Sequence, residues 1–498
     1  MLIRLLFPFS LVLVFATGSA AQNASSVVAA ASKAMGADSL TSITYSGTAR
    51  NGAFGQSKAI GDPMGPVNLT QITQYTRTLT FAPPSDDAAL VSRATGPTQP
   101  PVVPGVPAQP AGVFNQNITA AQMRNSWTQR LNVTTTPWAF LKAAAAGNAT
   151  VRQQGGQQVV SFSPANLNSP SGQPYTVTGY IDTQNRVTKV ETKVEHAVVG
   201  DLPVEFEYSN YQTMNGVQVP TRIVQKQAGL TTFEATITAA TPNPSNLTEL
   251  LTVPPPPGRA GGAGAPAPGP AAAPPAAANA APPVDKLGEG AFRIGGNYAS
   301  LAIDMGNHIL VVESGQNDAR GLAVMAAARQ AIPGKPIGFV VNSHPHFDHA
   351  GGLGAAAAEG ATILTHRNNE AVLERLLSGP RTLVGDSLSK VTTRRTNVVQ
   401  GVGDREVRKG SNGKVVELHL IPNEHSNGLF VVYLPAEKAL WTADITVVNP
   451  TPVQLGVVKA AVEVINRLKL DFNAWIPAHP PNPDKPLTRA DVLAAAGS

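Results

Sequence analysis

Residues 343–349 read Ser-His-Pro-His-Phe-Asp-His, and 350–352 continue Ala-Gly-Gly. Three imidazoles and a carboxylate stand at His344, His346, Asp348 and His349, directly after an apolar run at 337–342 (IGFVVN) that has the length of a buried strand. Neutral imidazole and carboxylate are the usual nitrogen and oxygen ligands of zinc, at about 2.0–2.2 Å. In an extended chain His344 and His346 point to one side, because residues i and i+2 share a face. Asp348 and His349 then stand where residues 350–360 (AGGLGAAAAEG) are set to start a helix. One short motif can therefore offer two ligands to one metal and two to a neighbour.

A metal pair needs ligands from elsewhere, and the C-terminal part supplies three candidates. His425 follows the strand-like 415–421, Asp444 ends the apolar run 439–443, and His479 closes 475–478. Each comes after residues expected to be buried, which is where a site at the edge of a sheet draws its side chains.

The pattern His-x-His-x-Asp-His, followed by a distant His, a distant Asp and a last His, resembles the metallo-β-lactamase superfamily over roughly residues 290–480, and all seven positions match. The resemblance implies an α+β chain whose C-terminal domain is an αβ/βα sandwich, two sheets flanked by helices. It implies two divalent metal ions, zinc foremost, with His344, His346 and His425 on the first, Asp348, His349 and His479 on the second, and Asp444 bridging. Two cations about 3.5–4 Å apart can share a water, lower its pKa and polarise the scissile carbonyl. Asp348 is the expected catalytic residue, orienting the resulting hydroxide and carrying a proton to the leaving group.

The chain has no cysteine, which excludes a cysteine nucleophile and any subtype with a Cys ligand on the second metal. The bridging Asp444 resembles glyoxalase II-like thioesterases and lactonases more than dedicated β-lactamases. Glu424 departs from the pattern, standing where many members have Gly before the third His; a solvent-facing carboxylate is expected. The leading expectation is metal-dependent hydrolysis of a small-molecule ester, thioester, lactone or amide. The alternatives are β-lactam hydrolysis and a binding protein with little or no turnover, against which the complete ligand set weighs. Iron-based oxygen reduction is remoter, since it usually comes with a flavin domain and none is visible.

Four of the nine histidines remain: His196, His308, His366 and His419. His419 sits in the alternating 415–420 and reads as a strand residue with an ordinary partner. His366 ends the strand-like 361–365, where a place in the cleft is the less favoured reading.

Residues 1–21 read as a secretory signal peptide: Arg4, an apolar stretch at 5–16, and Ser19-Ala20-Ala21 before Gln22. The stretch is short of the ~20 residues a membrane span needs, so no stable membrane insertion is expected. A periplasmic or secreted location follows, with stability resting on cores rather than disulfides. Sequons at Asn23, Asn68, Asn117, Asn132, Asn148 and Asn246 reflect composition more than glycosylation.

Residues 254–283 are almost entirely Pro, Ala and Gly with only Arg259 charged, a composition that cannot bury a core and reads as a linker. It divides a separate β-rich N-terminal domain at 22–253 from the domain at 284–498. Within the former, helices are expected at 24–36 and 119–147, a long loop at 97–110, and strands at 157–163, 175–182, 187–194, 204–211 and 231–240. The turn signal Asn215-Gly216 argues for antiparallel pairing. Residues 205–223 (EFEYSNYQTMNGVQVPTRI) are similar in pattern to the half-barrels of periplasmic lipoprotein carriers, which implies an apolar ligand or a docking partner; an appendage without a ligand is the competing reading.

The net charge of +5 with 14% charged residues is too mild to capture nucleic acid. One local excess, Arg381 to Lys414, reads as a solvated loop rather than as part of a cleft that favours anionic substrates. A last helix is expected at 487–496, with Thr488 as its cap.

Overall fold

The computed structural model describes residues 23–57, 65, 67–99, 111–254, 281–423, 425–426, 428–482 and 484–497. The signal-peptide reading, residue Glu424 and most of the linker fall outside them.

The N-terminal region is an open, wholly antiparallel sheet of eleven strands. Its first strand, Ser42–Asn51, pairs with its last, Leu230–Pro242, so two meanders join at the middle. The helices Ala24–Met35, Ala120–Asn125, Trp127–Thr134 and Pro137–Ala146 contribute Val28, Met35, Trp127, Trp138 and Phe140 to one core with the strands' Ile43, Leu79, Val190 and Val204. Sequence periodicity located five of these strands to within a few residues. Asn215 and Gly216 form the expected turn, both at positive φ, between Gly200–Met214 and Val217–Gln227. The strands Ser42–Asn51, Thr70–Thr80, Leu90–Gln99, Gly112–Thr119 and Thr150–Gln154 were not anticipated. Pro97–Gln99 closes a strand rather than opening a loop, and 100–110 lie outside the described residues.

The C-terminal domain holds a seven-stranded and a five-stranded sheet packed face to face. Ile303, Val312, Val341, Val432 and Trp441 fill the space between them. Ile309–Val312, Phe430–Leu434 and Ala439–Thr442 are buried along their whole length, as expected of strands covered on both faces. Asp318–Ala331, Leu353–Ala358 and Arg367–Ser378 cover the outer face of the larger sheet; Pro452–Leu468 and Arg489–Ala496 cover the smaller. This is the helix–sheet–sheet–helix arrangement the motif implied. The last helix starts at a capping box between Thr488 and Asp491.

Each region has its own core, yet the two interlock. Arg381, expected on a solvated loop, is buried: it pairs with Asp386 and donates to the carbonyls of Ala197 and Val198, the latter at 3.1 Å. The loop could not be read because these partners lie in a distant hairpin. Asp201 accepts from Thr382 Oγ1 at 2.6 Å and from Leu383 N at 2.9 Å. Val198 belongs to the core of the larger C-terminal sheet, and Leu383 to that of the N-terminal sheet. Of the other cations in the segment, Arg405 pairs with Glu417, Arg408 with Glu406, and Lys414 with Glu437.

His196 lies in this interface, 4.9 Å from the Phe347 ring, with Nδ1 accepting the backbone N–H groups of Val198 and Val199 at 3.2 Å each. Burial, and then the charge of Arg381, push its pKa down to about 4 from 6.5. Between those values the unfolded chain binds the proton that the folded ring refuses, so this contribution to stability is lost as pH falls from 6.5 toward 4. Asn at this position keeps a local acceptor that does not titrate. Thermal unfolding midpoints measured from pH 7.5 to 4 should therefore fall less steeply for His196→Asn than for the wild type; parallel curves would remove His196 as the titrating group.

Candidate metal centre

The site lies at one rim of the sandwich because strand direction puts it there. In the larger sheet Ile309–Val312, Ile337–Val341 and Thr362–His366 are parallel. Their C-terminal ends lead into Glu313, into the 343–349 motif, and to His366 itself. In the smaller sheet Val415–Leu420 and Ala439–Thr442 are both antiparallel to Phe430–Leu434, and Ala474–Pro477 runs parallel to Ala439–Thr442. These three strands therefore share a direction, and the chain leaving them carries His425, Asp444 and His479. Phe430 N donates to Ser343 O at 2.9 Å and Ala299 N to Ala478 O at 2.7 Å, tying the two sheets together at this rim.

All seven predicted side chains converge. His344, His346, His425 and Asp444 form one group and Asp348, His349, Asp444 and His479 another, each with donor atoms within 4.8 Å of one another. Asp444 belongs to both. Its Oδ2 lies 2.9 Å from His344 Nε2, 3.0 Å from His349 Nε2 and 3.0 Å from His425 Nε2, while Oδ1 lies 2.9 Å from His479 Nε2. The ring nitrogens of His349 and His479 are 3.1 Å apart.

The donor set fits metal ions. His346 Nδ1 is buried and lacks a hydrogen-bond partner; an orphaned buried acceptor is costly, and a cation satisfies it. From the protein groups alone, burial holds the His344 pKa well below its usual value, with the neighbouring His349 adding to this. Burial, and then His425, push His346 down to about 4. Both rings are then neutral at physiological pH with lone pairs available. Burial opposes ionisation of Asp444, but His349 and the bonds from three imidazoles hold its pKa well below the carboxylate range. Asp348 is lowered against burial by His349 and by a bond from Gln56. His349 itself is raised: burial disfavours its charge, yet Asp444, Asp348 and Glu313 outweigh that.

Several contributors escaped the sequence reading. Glu313, fully buried, accepts from Ser343 Oγ at 2.7 Å through Oε2 and lies 3.1 Å from His349 Nδ1 with the same oxygen, turning Nε2 of that ring to the centre. It follows the four apolar residues Ile309–Val312, the same cue that marked Asp444 and His479. Gly351 and Gly352 let the motif lie against this loop: a Cβ on Gly351 would come within 1.9 Å of Gln316 O. Tyr298 places its hydroxyl 3.3 Å from Asp348 Oδ2 and its ring 4.7 Å from His479. Burial, and then Asp348, keep this phenol protonated above its ordinary range. Gln56 and the Ser57 carbonyl arrive from the N-terminal region.

The other histidines stand apart. His419 Nε2 pairs with Glu417 at 2.9 Å, as a strand residue with an ordinary partner should. His366 caps the helix Arg367–Ser378 through Asn368 N and reaches Asp404 at 3.3 Å; His308 sits beside Asn307 and Phe339.

Residues 294–460 match the family described as the metallo-beta-lactamase superfamily. Together with the sandwich, this match defines the C-terminal part as a metallo-β-lactamase-like domain. Among solved structures the chain is similar to a metallo-beta-lactamase from Pontibacter korlensis at 14% identity and a TM-score of 0.33, covering 43% of this chain and 97% of that one. It is also similar to one from Hirschia baltica at 18% identity and a TM-score of 0.32, covering 43% and 96%. No curated protein matches the chain.

Removing the acceptor behind His349 tests the geometry. Glu313→Leu should weaken zinc binding by about 10–100-fold, as loss of an outer partner of a metal ligand does. Competition with a chromophoric chelator measures this, and unchanged affinity would show that Glu313 does not orient His349.

Proposed function

We propose that this protein hydrolyses a small-molecule ester, thioester, lactone or amide using two divalent metal ions, zinc being the cation that a donor set of imidazole and carboxylate suits first. The observation that carries the reading is Asp444, one carboxylate with ring nitrogens of four histidines within 3.0 Å. On this reading His344, His346 and His425 would hold one ion and Asp348, His349 and His479 the other, with Asp444 belonging to both groups. When bound, the ions supply Lewis-acid polarisation of the substrate's acyl oxygen and a lowered pKa for the attacking water.

The chain's own groups do the rest. Asp348 is ionised and turns Oδ2 toward His349 and His479, at 3.4 and 3.7 Å. The Asp348 carboxylate takes the proton of the attacking water and returns it to the leaving group. The Tyr298 hydroxyl fixes its Oδ2 from the side. His425 and His479 are 26% and 39% exposed while His344 and His349 are fully buried, so substrate enters over the former pair. Export, read from residues 1–21, belongs to this proposal.

The purified chain is analysed for metal by mass spectrometry and assayed on lactone, thioester and β-lactam substrates with and without chelator. About two zinc ions per chain with chelator-sensitive turnover is the expected result. Asp348→Ala should lower kcat by about 10²–10⁴-fold, and His425→Ala should abolish turnover. His366→Asn, which keeps the helix cap, should retain the wild-type rate. Full activity in Asp348→Ala with metals bound would remove its proton-transfer role; one metal or none, without turnover, would favour a binding protein.

A further inference from the structure

The loop after strand Ser42–Asn51 in the N-terminal region runs against the metal-binding motif residue by residue. Gly55 O accepts from Phe347 N at 3.2 Å, Gln56 Nε2 donates to Asp348 Oδ1 at 2.6 Å, and Ser57 O lies 3.0 Å from His346 Nε2. Phe54 sets its ring edge-on to Phe347 at 5.3 Å. The approach is as close as a backbone can make it: a Cβ on Gly55, at φ 79°, would stand 2.0 Å from the Phe347 ring.

Each bond has a consequence for the site. A carbonyl at His346 Nε2 requires that nitrogen to carry the proton, which leaves the lone pair on Nδ1, the buried nitrogen with no other partner. An ionised carboxylate only accepts, so the Gln56 atom facing Asp348 is the amide nitrogen. Its bond occupies Oδ1 and fixes the carboxylate plane, leaving Oδ2 toward the centre. The Gly55 carbonyl satisfies one of the free N–H groups at the start of helix Phe347–Ala350, the turn that carries Asp348 and His349.

We infer that the N-terminal region is a working part of the metal centre, its 54–57 loop supplying the outer hydrogen-bond partners of His346 and Asp348, with Gln56 as the positioning residue for Asp348. The inference rests on the two-metal reading above and extends it: the N-terminal region sets the affinity and ligand geometry of the site that contains Asp348, as well as packing beside it. The Arg381 and Asp201 contacts hold the two regions in the register this requires.

Cobalt(II) titrated into the full-length metal-free chain, followed by its visible ligand-field absorption and by chelator competition, tests this without relying on turnover. The variants are Gln56→Met, which keeps length but loses the donor, and Gln56→Glu, which sets an acceptor against Asp348. Both should keep the wild-type circular dichroism spectrum. Gln56→Met should weaken the second cobalt-binding step by about 10-fold, with a changed absorption envelope for that step only, and Gln56→Glu should weaken it further. If the wild type takes up two cobalt ions and both folded variants match its affinities and spectrum, the positioning role is overturned while the metal reading stands. If the wild type binds no cobalt, the metal reading fails and takes this inference with it.

Discussion

A carboxylate surrounded by imidazole nitrogens at hydrogen-bond distance, inside a protein, needs a proton or a metal ion between each close pair. Asp444 is in that position, and the C-terminal domain can be read outward from it. It sits at φ 48°, in the left-handed region that a residue other than glycine adopts at a cost, and Ala478 N bonds Thr442 O just before it. Ala439–Thr442 beneath it is buried on both faces, so the residue after it has little freedom to move away. The parallel strand beside it delivers His479, and the larger sheet delivers the motif. The other side chains of the cluster are placed relative to one carboxylate whose backbone is fixed.

That arrangement was largely legible because its signals are short in range. Burial on both faces yields unbroken apolar runs, and a polar or ionisable residue straight after such a run stands at a strand end. The rule found His425, Asp444 and His479, and applied once more it would have found Glu313 behind Ile309–Val312. The final helix was equally plain, since Thr488 and Asp491 close a capping box within four residues.

The N-terminal sheet was half legible for the same reason. Val177–Ile181 alternates strictly and Val187–His196 over most of its length, whereas Ser42–Asn51 and Thr70–Thr80 mix Thr, Ser and Gln on both faces and owe their place to pairing. Ser42–Asn51 reaches its second neighbour across nearly the whole region, as Ile43 opposite Pro242 shows. No local pattern encodes such a partner. The buried Arg381 and the Gln56 bond are of this kind: an arginine in a basic stretch and a glutamine in a glycine-containing loop carry no mark of what they will touch.

The bond from Gln56 to Asp348 closes a loop of 292 positions. Closing so long a loop costs chain entropy before the contact rewards it, which slows folding. The larger sheet, the smaller sheet and the N-terminal region each contribute to the surroundings of the same few donor atoms. The complete hydrogen-bonded surround of these donors is thus available only to a chain whose two regions have both folded and docked. A metal ion held there would favour that finished state over every partly folded one, since a ligand that binds only the native form draws the equilibrium toward it. With metal bound, the centre would act as a latch on the completed fold, its strength a report on how well distant parts of the chain have met.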